Sequence, residues 1–174
     1  MSILEIVTPP DPILRAEAEK VRAFNSELRQ LASDMVETMR AAQGVGLAAP
    51  QVSISKRLIV VEFAEPTEDP EAKPAEPVLY QLVNPEIIHT SHETVLGNEG
   101  CLSIPGYYGE VERSLKISLR AFTPQGESVQ IQAEGWLARI FQHEVDHLNG
   151  VLFIDRANRI WEVDEEEASE ITAA

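Results

Sequence analysis

Two helical patterns bracket a long stretch with strand character. Leu28, Leu31, Met35 and Met39 recur at spacings of three and four, which predicts an amphipathic helix. Asn25 or Ser26 is placed to cap its start, and Gly44 to end it at the C′ position. A second helix is expected from about Gly135 to Leu148, stopping at Asn149-Gly150. Before the first helix, Thr8-Pro9-Pro10-Asp11-Pro12 reads as an extended, turn-rich entry, because each proline fixes φ and restricts its predecessor.

Between the helices, Leu58 to Phe63 (LIVVEF) predicts a strand, and Val78 to Val83 a second one that stops at Asn84-Pro85. Further short strands are expected near 86–90, 93–97, 110–122 and 127–134. Lys116, Ser118 and Arg120 alternate with Ile117 and Leu119, the period of a half-buried strand. Thr123-Pro124-Gln125-Gly126 supplies a turn. The order helix, strands, helix predicts an α+β fold: antiparallel strands packed around a central helix, with the amphipathic helix as an N-terminal addition. Residues 1–174 are expected to form a single domain.

The length of 174 residues suffices for a real core without staples. A single cysteine, Cys101, excludes an internal disulfide framework and fits a reducing, cytoplasmic setting. No run approaches the roughly 18 apolar residues of a membrane span, and the N-terminal stretch lacks the pattern of a signal peptide. The net charge of −15 is concentrated. Residues 62–77, an acidic proline-rich surface loop, hold six acids and Lys73. The acidic tail 161–174 holds six acids and no base. The remainder carries 13 basic against 17 acidic residues, so nucleic-acid binding by counterion release is not expected.

Chemistry concentrates in His143-Glu144-Val145-Asp146-His147. On a helix, imidazoles four residues apart share a face and can grip one metal ion, with Glu144 beside them as a general base. Such a site needs a third protein ligand and an open position. Cys101, in Glu99-Gly100-Cys101-Leu102-Ser103, is a better candidate than His89 or His92, which read as surface residues. Gly44-Val45-Gly46-Leu47-Ala48-Ala49-Pro50-Gln51 lacks the lysine of a phosphate loop. It reads as a tight wall beside a cavity, with Gln51 offering an amide N–H, or as a close-packed helix-to-strand turn.

Together, GVGLAAPQ (44–51), EGCLS (99–103) and HEVDHLNG (143–150) resemble the peptide deformylases, in that family's order, over most of the chain from Pro12 to Phe153. The resemblance implies removal of the formyl group from N-formylmethionyl nascent peptides, with release of formate. It implies Cys101, His143 and His147 as metal ligands, a water in the fourth position, and Glu144 as general base and acid. It further implies that the Gln51 side chain and the Leu102 N–H meet the substrate carbonyl. The ion implied is one divalent metal, typically Fe2+, with Zn2+, Ni2+ or Co2+ also able to occupy the site.

Under that resemblance, Gly44, Gly46 and Gly100 would form a floor too crowded for an acetyl methyl. Val45, Leu137 and Ile140 would form an apolar slot for the methionine side chain. Asp146 is expected behind His143, paired with Arg113. Arg139, four residues before His143, either borders the peptide channel or is solvated. A zinc peptidase of the His-Glu-x-x-His type is the nearest alternative, and a non-catalytic metal-stabilised binding module the next. Some family members meet the ribosome through a basic C-terminal helix; the acidic tail here argues against stable docking on ribosomal RNA.

Overall fold

The computed structural model describes residues 2–164. Its elements run α1 (Ser26–Ala41), β1 (Gly46–Ala48), β2 (Leu58–Phe63), β3 (Val78–Thr90), β4 (Thr94–Cys101), β5 (Ile104–Ser114), β6 (Lys116–Phe122), β7 (Ser128–Glu134), α2 (Trp136–Leu148), α3 (Phe153–Arg156) and β8 (Arg159–Glu162). Short 3-10 turns span Pro12–Arg15 and Ala49–Val52. The strands form two antiparallel sheets, one of order β1-β2-β3-β6-β7 and one of order β4-β5-β8. The architecture is α+β, as the element order implies.

The larger sheet is covered on both faces, which explains the unbroken apolar run in β2. Ile59 and Val61 pack with Ala138, Phe141, Val145 and Leu148 of α2. Leu58 and Val60 point the other way, onto Leu28, Met35 and Met39 of α1. A strand buried on both sides needs no polar alternation. In β6, by contrast, Ile117, Leu119 and Ala121 are buried while Lys116, Arg120 and Phe122 are exposed. The helix α2 thus lies between the two sheets, touching β1, β2 and β7 on one side and β5 on the other.

The helix ends are set by local hydrogen bonds. Asn25 caps α1 by accepting from the Leu28 N–H at 3.0 Å. The left-handed residue after α1 is Gln43 (φ 57°), not Gly44. Gln43 N–H donates to Arg40 and Gly44 N–H to Met39, a Schellman arrangement displaced by one residue from the expected cap. Gly44 serves packing instead: a β-carbon there would lie 2.6 Å from Leu102 Cδ1. At α2 the expected stop holds, with Gly150 at φ 72° and the N–H groups of Gly150 and Val151 returning to His147 and Asp146.

Several strand boundaries differ from the pattern reading. β3 does not stop at Asn84-Pro85 but runs through to Thr90. Asn84 adopts φ 51°, and the pairing with β6 shifts register between Val83 and Glu86, so a bulge absorbs the proline's missing N–H. The Asn84 amide is used elsewhere, accepting from Val21 N–H and donating to Val21 C=O. The run 110–122 divides at Leu115 into strands of different sheets. The loop expected at 62–77 begins later, since Glu62 and Phe63 end β2 and Glu62 pairs with Arg40 at 2.8 Å. β8 takes Trp161 and Glu162 from the stretch expected as acidic tail; residues 165–174 lie outside the described residues.

Candidate metal centre

Three ligand-type side chains converge from two elements. α2 carries His143 and His147 one turn apart, with their Nε2 atoms 3.2 Å from each other. β4 delivers Cys101 at its end, where the pairing with β5 shifts register after Gly100. That break turns the chain and brings Cys101 Sγ to 3.3 Å from His147 Nε2. The ligand atoms of Cys101, His143 and His147 all lie within 4.8 Å of one another, and all three residues are buried. An ion bound at about 2.0–2.3 Å to each, in tetrahedral geometry, requires donors roughly 3.3–3.6 Å apart. The Sγ–Nε2 separation of 3.3 Å and the Nε2–Nε2 separation of 3.2 Å come within a few tenths of an ångström of that requirement, and thiolate with imidazole is a donor set for transition metals.

Glu144 is fully buried and neither carboxylate oxygen has a hydrogen-bond partner among the described residues. Burial without such a partner costs a carboxylate dearly, and it pushes the Glu144 carboxyl up to about 7. An orphaned acid beside three metal-type donors calls for something polar between them. Gly46 makes room for it, since a β-carbon at Gly46 would stand 2.5 Å from Glu144 Oε1.

Gln51 meets the cluster at Cys101. Its Oε1 accepts from the Ala48 N–H at 2.9 Å, and its Nε2 donates to Ser103 Oγ at 3.1 Å. These two bonds fix the amide so that Nε2 also lies 3.5 Å from Cys101 Sγ. Leu102 is half-buried, against Gly44. The expected slot residues fall in one cluster: Ile140 is buried in it, and Val45 and Leu137 are partly buried against it. Gly100 opens onto the ring of Tyr108. His89 and His92 are exposed, away from the cluster.

Behind the histidines lies a buried charge network that the motifs alone do not assemble. Glu99 Oε1 lies 2.8 Å from His143 Nδ1. Arg113 forms a two-pronged pair with Glu99 at 2.8 and 2.9 Å and reaches Asp146 at 2.6 Å. Asp146 in turn holds Arg156 of α3 at 2.7 Å. Arg139 does not face solvent. It is buried, paired with Glu99 at 2.7 Å and donating to the carbonyls of Val95 and Val111. Burial alone would raise the Glu99 carboxyl, but Arg113 and His143 hold it well below the usual carboxylate range.

The signal for this network is present in the spacing. Glu99 shares a strand face with Cys101, two residues on. Arg139 shares a helix face with His143, four residues on. What spacing cannot supply is that the two faces meet.

A family model described as polypeptide deformylase matches residues 3–162. A peptide deformylase of Natranaerobius thermophilus is 46% identical over 165 residues, covering 95% of this chain and 99% of that one. The crystal structure of peptide deformylase from Thermotoga maritima superposes with a TM-score of 0.80 at 42% identity, covering 91% of this chain and 100% of that one. A Met-Ala-Ser-bound class I type b peptide deformylase from Acinetobacter baumannii superposes with a TM-score of 0.79 at 45% identity, covering 90% and 99%.

Proposed function

This chain belongs to the polypeptide deformylase family, and on that premise we propose how its buried centre removes the N-formyl group from new polypeptides. It is an enzyme, and family and fold alike support deformylation of nascent chains. The observation that carries the mechanism is the surroundings of Cys101, His143 and His147: an unpartnered buried acid next to His143 in the chain, and a fixed amide donor 3.5 Å from Cys101 Sγ.

In this reading Cys101, His143 and His147 hold one divalent ion. A bound ion would supply Lewis acidity and lower the pKa of water, less far with a thiolate among its donors than with three histidines, which leaves more of the work to Glu144. Glu144 takes the proton of the water that attacks the formyl carbon. It returns that proton to the amine nitrogen as the C–N bond breaks, leaving formate and a free amino terminus. Buried next to the ligand His143, with both carboxylate oxygens unpartnered, Glu144 is placed for both transfers. Gln51 Nε2 and the Leu102 N–H donate to the oxygen that gains charge. Because Ala48 and Ser103 hold the Gln51 amide in advance, little reorganisation is needed when that charge develops.

The substrate is read as an extended formylmethionyl peptide. β1 and β4 are outer strands of their sheets, and both run to the centre, β1 through Gly46 and β4 through Cys101. Such edges can add a peptide as a further strand. Val45, Leu137 and Ile140 take the methionine side chain, and Gly46 and Gly100 keep the floor close. The relative that binds Met-Ala-Ser supports a short peptide with N-terminal methionine as the bound product.

Fe2+ is the ion proposed from the family resemblance, with Zn2+, Ni2+ and Co2+ as substitutes suited to the same donors. Residues 1–174 act as one cytoplasmic catalytic domain, and the acidic tail keeps it from stable docking on ribosomal RNA. No helix of the described residues is long and apolar enough to cross a membrane. Formate release from a formyl-Met peptide, run beside casein cleavage on anaerobically purified protein, tests the reading. Formate without proteolysis supports it; casein cleavage without formate sinks it.

A further inference from the structure

The two imidazoles are held differently. His143 Nδ1 lies 2.8 Å from Glu99 Oε1, whereas His147 Nδ1 is buried with no hydrogen-bond partner among the described residues. Glu99 is itself pinned at both oxygens. Oε1 receives Arg113 and faces His143; Oε2 receives the other prong of Arg113 and Arg139. An ionised carboxylate offers about four acceptor positions, and here all are filled. Its restraints come from separate elements, Arg113 on β5 and Arg139 on α2, so neither the carboxylate nor the ring against it can turn freely.

We propose that Glu99 is a positioning residue for the metal ligand His143, accepting its Nδ1–H and so directing Nε2 at the ion. The proposal rests on the ligand assignment made above. A carboxylate behind a ligating histidine fixes the tautomer and raises the ring's donor strength. Here the effect falls on one histidine of the pair. His143 is the oriented, stronger donor; no carboxylate of the described residues stands behind His147 Nδ1. Arg139, on the same helix face one turn earlier, ties that carboxylate to the helix that carries the ligand.

The direct test uses the zinc-loaded full chain labelled with 15N. Long-range 1H–15N correlation is expected to show a slowly exchanging proton on His143 Nδ1 and metal on Nε2. A His143 ring with no proton on Nδ1, while zinc is bound to both histidines, overturns the proposal. Zinc that shifts neither histidine overturns the ligand assignment instead.

A charge-balanced variant, Glu99→Gln with Arg139→Met, supplies a second readout while avoiding an uncompensated buried arginine. It is expected to bind zinc about 10–100-fold more weakly and to show shifted ligand-field bands with cobalt. Arg139→Met alone, which leaves Arg113 on Glu99, is expected to lose less. Wild-type zinc affinity and an unchanged cobalt spectrum in a folded double variant would show that Glu99 only holds the strands together.

Discussion

Gly46 and Glu144 are in close contact: a β-carbon on Gly46 would meet Glu144 Oε1 at 2.5 Å. The glycine is therefore what lets a buried carboxylate face the cluster of Cys101, His143 and His147. Gly46→Ala is expected to displace Glu144 and lower kcat/KM by about 10²-fold, the scale of a 1 Å misplacement of a reacting group. Metal content should not change, because none of the three donors is touched. Elemental analysis beside the kinetic assay checks both halves.

Gln51→Leu removes the side-chain donor beside Cys101. Loss of one such donor is expected to cost on the order of 10²–10³ in kcat, with KM little changed. The same substitution orphans the buried Ala48 N–H that Gln51 accepts from. An unsatisfied buried donor costs about 1–3 kcal/mol, so denaturant unfolding should show a loss of that size.

How far these residues could be read from the chain differs between the helix and the strands. The histidine pair and its glutamate are visible in five consecutive residues, because a helix maps spacing directly onto a face. The α+β class follows equally from the order of periodic segments. Residue type makes Cys101 a candidate third ligand and Gln51 a candidate amide donor, but their assigned roles come from family resemblance, since nothing in a strand's period says where its end will turn. Arg139 was legible only as a helix residue one turn before His143; its burial depends on Glu99 arriving from β4. The break at Leu115 and the strand β8 were hidden for a similar reason. Pairing partners, not local pattern, decide where a strand changes sheet.

Metal removal should loosen the fold as well as abolish turnover. Any ion that binds the folded centre and not the unfolded chain adds RT ln(1 + [L]/Kd), about 2.7 kcal/mol at a hundredfold excess over Kd. Dialysis against a chelator is expected to lower the Tm, and re-addition of the ion to restore both Tm and formate release. An apoprotein that unfolds at the holoprotein's temperature would argue against a resident ion.

Asp155 links the base of α3 to the N-terminal segment. It receives Arg15 at 2.5 Å and caps the Leu152 N–H at 2.9 Å. Burial alone would raise its carboxyl, but these two bonds hold it below its ordinary value of 3.8. A carboxyl depressed in the folded state stabilises above its unfolded pKa, and that stability fades as pH falls through the folded value. Wild type should therefore exceed Asp155→Asn by a constant amount near neutrality. The gap should close below about pH 4. With both side chains more than a third exposed, screening keeps the gap to about 1 kcal/mol or less. Urea unfolding at a series of pH values measures it.

The central claim is convergence of one sulfur and two imidazoles on a single ion. Cobalt titration of the apoprotein, followed by optical absorption, reports it most directly. We expect saturation at one equivalent, with a thiolate-to-cobalt charge-transfer band in wild type that disappears in Cys101→Ser. Saturation with no such band, or a band that survives the loss of Cys101, would contradict the account.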